Sequence, residues 1–353
     1  MKRIVVVAVA CIAACAFAAT PYAPVVPGVP MLFPRDRGAH PEHRIEWWYV
    51  TGQLATDAGP MGFQVTFFRV RNREAEGQAS RFAPAQLLFA HAAVSDPRQG
   101  RLLHDQRAAR VLPPLVAIDP AETGVQLDDW SLVRDGTAYE ARIPGRDIAL
   151  ALRLEPTQPA MLQGDGGFSR KSAGLAQASE YYSEPHLRVS GRVTVRGRTL
   201  VATGEAWLDH EWSSELLAAQ ASGWDWLGAN LAAGGAVMAF RIRDRAGASL
   251  WTSATVRDHP DAAPRTLSGD AVAFTPLREW TSPHTGTRYP VAMRVRVGTE
   301  SWTLEPLMDD QELDARASTG TLYWEGAVRL RTEAAEAGRG YLELTGYAER
   351  LPF

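Results

Sequence analysis

The sequence predicts an all-β protein made of two tandem barrels, and three observations carry that expectation. Short alternating runs bounded by Gly, Pro, Asp and Asn recur along the chain. Helical periodicity is confined to short pieces. One strand–turn–strand pattern occurs twice, which points to a duplicated β-domain.

The N-terminal stretch "MKRIVVVAVACIAACAFAAT" has a basic start, a short apolar run and then small residues, the three parts of an export signal. Cleavage after Ala18 would make residues 1–18 a signal peptide and the mature protein exported, periplasmic or secreted. A second reading stays open: "IAAC" resembles a lipobox, which would lipidate Cys15 and associate the protein with a membrane. The apolar run is too short to span a bilayer stably, and no later segment approaches the roughly 18 apolar residues a spanning helix needs. Cys11 and Cys15 both lie in this leader, so the mature body is expected to lack disulfides, thiolate nucleophiles and cysteine metal ligands.

With 353 residues, 46% hydrophobic and 22% charged, the chain can fill two cores. A net charge of −3 gives no electrostatic footprint for nucleic acid. After the proline-rich "TPYAPVVPGVP", the segments "GFQVTFFRVR", "LRVSGRVTVRG", "AVMAFRIRDRAG", "RYPVAMRVRVG" and "LYWEGAVRLR" read as strands. "SSELLAAQAS" reads as a short helical piece between the halves. The repeat lays "EWWYVTGQL", from Glu46, on "GWDWLGANL", from Gly223, so that Trp47 matches Trp224, Tyr49 matches Trp226 and Leu54 matches Leu231. Strands ending Phe68-Arg69 and Phe240-Arg241 follow. The expected domains are residues 28–205 and 206–353, each closed into a barrel because closure removes exposed edges.

Six segments in order, "HPEHRIEWWYVTGQL", "LFAHAAVSD", "GFSRKS", "YYSEPHLRVSG", "GEAWLDHEW" and "GRGYLELTGY", resemble the AttH-type, carotenoid 1,2-hydratase-like (hydroxyneurosporene synthase-like) family. With its leader, the chain is similar to the exported branch often labelled "predicted secreted hydrolase". The resemblance implies tandem lipocalin-like (calycin-type) barrels. It also implies either hydration of a long isoprenoid alkene or the unassigned role of the exported members.

In "GEAWLDHEW", strand alternation puts Glu205, Trp207, Asp209 and Glu211 on one face, and Ala206, Leu208, His210 and Trp212 on the apolar one. His210 is either a core histidine bonded to a backbone carbonyl or a site residue whose proton affinity is lowered by burial. The resemblance falls on Asp209, His210, Glu211 and Trp212. No metal is expected, because "HEWSS" is not His-Glu-x-x-His and no second histidine follows at helical spacing. In "GWDWLGANL", Asp225 shares a face with Leu227, Ala229 and Leu231, where an ionised carboxylate needs a partner or a proton. The expected site therefore has Asp225 as general acid and His210 orienting or activating water. Trp212, Trp224, Trp226, Trp48, Tyr182, Asp209 and Glu211 complete it around the ligand. No cofactor is expected.

Three other features are read structurally. Glu46 is expected to pair with Arg44 or Arg69, the tyrosines at 181 and 182 to pack or to line a cavity mouth, and "GDGGFSRKSAG" to form a loop. Lys171, in that loop, is of interest through the resemblance. No Gly-x-Ser-x-Gly elbow occurs, so the "hydrolase" label has no nucleophile motif behind it. Two functions follow: a hydratase or lyase acting on an extended apolar molecule, or a non-catalytic carrier of such a ligand, accessory to a membrane-transport partner. Convergence of a carboxyl group and an imidazole on one pocket would favour the enzyme.

Overall fold

The computed structural model of the chain describes residues 21–78, 80 and 82–349. The expected leader, with Cys11 and Cys15, lies outside the described residues. Among the described residues every regular element longer than three residues is a β-strand.

The first sheet opens with β1 (Ile45–Thr56), β2 (Gly59–Arg71), β3 (Gln86–Ser95) and β4 (Leu103–Arg110). Shorter strands follow: β5 (Val116–Ile118), β6 (Gly124–Leu127), β7 (Trp130–Asp135), β8 (Ala138–Pro144) and β9 (Ile148–Pro156). Then come β10 (Met161–Leu162), β11 (Phe168–Arg170), and the two longest strands, β12 (Ala178–Val195) and β13 (Arg198–Glu215). Their spatial order is β4-β3-β2-β1-β13-β12-β9-β8-β7-β6-β5, with β10 and β11 also on β12. The second sheet has β14 (Gly223–Leu231), β15 (Ala236–Arg243), β16 (Ser249–Arg257), β17 (Arg265–Ser268), β18 (Val272–Thr281) and β19 (Arg288–Val297). It ends with β20 (Glu300–Pro306), β21 (Glu312–Ala315), β22 (Thr321–Arg331) and β23 (Glu336–Thr345). The order is β17-β16-β15-β14-β23-β22-β20-β19-β18, with β21 on β22.

Each sheet curls around its own core because its strands alternate. In β9, Ile148, Leu150, Leu152 and Leu154 are buried while Ala149, Ala151 and Arg153 are not. Trp48, Phe63, Phe67, Trp130 and Val189 fill the first barrel. Leu227, Val291, Met293, Trp324 and Leu342 fill the second.

The two strand orders superpose: β1, β2, β3 and β4 correspond to β14, β15, β16 and β17, and β13 and β12 to β23 and β22. The duplication expected from the sequence is therefore present, two residues out of the expected register. Across β1 and β2, Glu46 faces Arg69; across β14 and β15, Asp225 faces Arg241. Glu46 and Asp225 are thus equivalent, where the sequence match had set Trp47 against Trp224. A two-residue slip keeps every side chain on its face, so alternation alone cannot detect it.

Two other expectations are corrected. The boundary at 205/206 would cut β13, which pairs with β1 and β12 from Arg198 to Glu215; the first domain ends after Glu215. "SSELLAAQAS" contains no helix: Ser213–Glu215 finish β13, and the following residues form an irregular link. Leu216 and Leu217 are spent there on an apolar wall between the barrels.

That wall belongs to a third apolar layer, made from the outer faces of both sheets. Tyr49, Tyr181 and Trp207 of the first meet Trp226, Met238, Phe240 and Tyr341 of the second. Burying each such side chain contributes about 1.5–3 kcal/mol. The approach is close enough to require Gly62 on β2, where a Cβ would lie 2.6 Å from Tyr341 Oη and 2.7 Å from Ala327 Cβ.

Candidate functional site

A cavity of about 330 Å³ opens within the layer between the barrels. Trp47, Phe68 and Phe89 wall it from the first barrel; Trp224, Trp226 and Phe240 wall it from the second. Alternation explains the placement. These aromatics sit on the faces of β1, β2, β3, β14 and β15 that point away from their own barrels; Trp226 and Phe240 are buried and the other four half-buried at the junction.

Besides Glu46, whose carboxylate is engaged inside the first barrel, four carboxylic acids line the same cavity, Asp209 and Glu211 from β13, Glu325 from β22 and Glu343 from β23. Glu325 and Glu343 stand directly opposite each other on paired strands. Burial, reinforced by the charge of Glu343, pushes the Glu325 carboxyl well above the usual range, and the nearby Tyr49 hydroxyl only partly opposes the rise. Burial also raises Glu343, to about 8; a hydrogen bond from Trp224 opposes the rise, and the charges of Asp209 and Glu211 add to it. Two adjacent carboxyls in low dielectric cannot both ionise cheaply, so the pair holds a proton at neutral pH.

Asp209 is the best-held of the four. It accepts hydrogen bonds from Tyr181 Oη (2.6 Å), Ser183 Oγ (2.5 Å) and Trp207 Nε1 (2.6 Å). Burial outweighs these donors and raises it to about 7. Trp226 Nε1 donates to Tyr181 Oη at 3.0 Å, so a relay from the second barrel ends on this carboxyl. Glu211 is neutralised by Lys171, whose Nζ lies 2.8 Å from Oε1, and accepts from Ser179 Oγ. The lysine also sits over the Tyr181 and Phe240 rings. The glycine-rich segment before it turns through three positive-φ glycines, at 164, 166 and 167, into β11.

The predicted site residues divide among three places. Trp224, Trp226, Asp209 and Glu211 come together at the cavity. His210, Trp48, Trp212 and Tyr182 are buried inside the first barrel. There His210 bonds Glu46 Oε1 through Nε2 (2.9 Å) and Tyr182 Oη through Nδ1 (3.2 Å), and Trp48 stacks on it at 4.7 Å. Asp225 lies inside the second barrel, bonded by Arg241 Nε (2.7 Å), Arg243 Nε (2.8 Å) and Tyr347 Oη (2.9 Å).

The expected Asp225–His210 site is therefore corrected. The two side chains point into separate cores, and the Asp225 carboxyl is fully engaged as a structural anchor by two guanidiniums and a phenol. Glu46 does pair with Arg69, Nε to Oε2 at 2.9 Å. The arrangement could also suggest a metal, since ligand atoms of His40, Glu46 and His210 lie within 4.8 Å of one another. However, Arg69 and the two imidazoles already occupy the Glu46 oxygens, so the cluster is complete as a hydrogen-bonded network.

Sequence reasoning missed Glu325, Glu343, His91 and Tyr323 as cavity residues. "LYWEGAVRLR", which reads as a strand, contains Tyr323 and Glu325, and "LFAHAAVSD" and "GRGYLELTGY" contain His91 and Glu343, but nothing local marks their outward faces as buried. A second cavity of about 470 Å³ lies at another part of the junction. Its polar lining is already engaged: Gln53 donates to Val328 O, and His186 is held by Gly235 O and Asn230.

A sequence model of the AttH-like family matches residues 24–347. A crystal structure from Nitrosomonas europaea, described provisionally as an AttH, is 51% identical over 92% of this chain and 99% of its own, with a TM-score of 0.86. Kievitone hydratase from Nectria haematococca is 15% identical over 93% of this chain and 97% of its own, with a TM-score of 0.68, a likeness of fold. No functionally curated protein matches.

Proposed function

The chain belongs to the AttH-like family, and from that premise we propose that it is an acid–base enzyme of the hydratase or lyase type, acting on an apolar unsaturated molecule between its barrels. The observation that carries this reading is the Glu325–Glu343 pair, two facing carboxyls held above their usual range in an aromatic cavity. Adding water to an alkene begins with a proton delivered to carbon, which needs an acid still protonated near neutrality. Burial supplies that acid. The developing carbocation needs electron-rich faces, and Trp47, Trp224 and Trp226 provide them. Water then forms the C–O bond, and Asp209, poised near pH 7, is suited to take its second proton. The reverse sequence would dehydrate an alcohol. The short apolar stretch of the leader supports an exported, periplasmic or secreted location, with the hydrophobic small molecule as ligand.

The variants Glu325→Gln and Glu343→Gln test the assignment, since each conserves shape and removes one transferable proton. With linear isoprenoid alkenes as probes and isotopic oxygen from water as the readout, each should lower turnover about 10²–10⁴-fold while keeping ligand affinity. A wild-type protein that binds such probes tightly and never hydrates them is the carrier instead.

A further inference from the structure

Tyr323 lies two residues before Glu325 on β22 and lines the same cavity. Its hydroxyl is 2.6 Å from Nδ1 of His91, which comes from β3 of the first barrel, so this pair spans the junction. The other ring nitrogen fixes the tautomer. His91 Nε2 is 2.9 Å from Ser318 Oγ, and Ser318 gives its own proton to Gln106 Oε1 at 2.7 Å. Nε2 therefore carries the ring proton, Nδ1 is the acceptor, and Tyr323 donates to it. Phe68 meets the imidazole edge-on at 5.1 Å and the Tyr323 ring stacks beside it at 5.9 Å, so the ring cannot readily turn.

A phenol whose proton is committed in this way offers a ligand only its lone pairs. Glu325, beside it, offers the opposite: a buried carboxyl approached by the Tyr49 hydroxyl but held by no cation among the described residues, kept protonated by its surroundings. An acceptor and a donor side by side on one strand face match one functional group, an alcohol. We infer that Tyr323 and Glu325 form a hydroxyl subsite, in which the ligand O–H donates to Tyr323 Oη and its oxygen accepts from the Glu325 carboxyl, with His91 as the positioning residue. This rests on the cavity being the substrate site, and it narrows the substrate class to unsaturated alcohols and the water that exchanges with them. In the dehydrating direction, the reverse of the hydration above, Asp209 returns its proton to the hydroxyl oxygen while Glu325 holds that oxygen by its hydrogen bond. The C–O bond then breaks with its electron pair leaving as water, and the adjacent carbon returns a proton to the carboxylate pair.

Fluorescence titration of the cavity tryptophans with farnesol and with β-farnesene, which lacks the hydroxyl, tests the subsite directly. Wild-type protein should bind farnesol at least about tenfold more tightly. Tyr323→Phe should erase that preference while leaving β-farnesene affinity within about twofold. His91→Asn, whose amide oxygen can replace Nδ1 as acceptor, should retain most of the preference, and His91→Leu should lose it. Equal binding of the two probes by wild type, or a preference that survives Tyr323→Phe, overturns the inference and leaves the cavity reading standing. If neither probe binds, the cavity reading fails with it. Should Tyr323→Phe not fold, wild-type binding of farnesyl methyl ether decides, because it keeps the oxygen and loses the donor; affinity equal to that of farnesol overturns the subsite.

Discussion

Glu343 sits on the outward face of a barrel strand, where a glutamate is ordinarily solvated, yet Trp224 and the opposing barrel cover it. Its carboxyl is raised from 4.5 to about 8, chiefly by burial. The sign of the linkage follows: the folded state favours the protonated form, so no penalty exists below pH 4.5. Stability is then lost progressively as pH rises from 4.5 to about 8. Glu343→Gln should therefore stabilise the protein by about 1–3 kcal/mol at pH 7 and change little at pH 4.5. Urea denaturation at the two pH values checks this; a gain of the same size at both would show that the carboxyl is not strained by burial. His40 shows the opposite balance: burial would lower it, but hydrogen bonds to Asp36 and Glu46 raise it to about 9. Its contribution to stability is full below about 6.5 and is lost as pH rises through 9.

At the scale of strands, both barrels use the same device, an acid on one strand and an arginine at the facing position of the next. Glu46 with Arg69 and Asp225 with Arg241 close equivalent ends of the two cores. Asp225→Asn removes the charge that two buried guanidiniums share, and should cost about 3 kcal/mol of stability while the folded fraction keeps its turnover. A loss of turnover without a loss of stability, measured by thermal melting alongside an assay, would restore Asp225 to the catalytic role. The strand faces here were legible in the sequence: alternation correctly put His210 inside and Asp209 and Glu211 outside. Asp225 was also correctly placed on a core face, but its partners could not be read, because Arg241 and Arg243 reach it from the neighbouring strand β15.

At the scale of the whole molecule, function depends on a surface that neither barrel has alone. The duplication and the all-β class were visible because strand periodicity is a local property. Glu325, Glu343, His91 and Tyr323 were not visible, because an outward-facing acid or phenol on an alternating strand reads as solvated until a second barrel covers it. Trp224 and Trp226 were named for their place beside Asp225, and they line the cavity although Asp225 does not. Infrared difference spectroscopy at pH 7 tests, without knowledge of the substrate, whether the junction holds a protonated carboxylic acid at neutral pH. Subtracting the spectrum of Glu325→Gln from that of the wild type should leave a carbonyl band of a protonated carboxylic acid, shifted by deuterium exchange. A difference spectrum with only ionised carboxylate bands would show that Glu325 holds no proton at neutral pH.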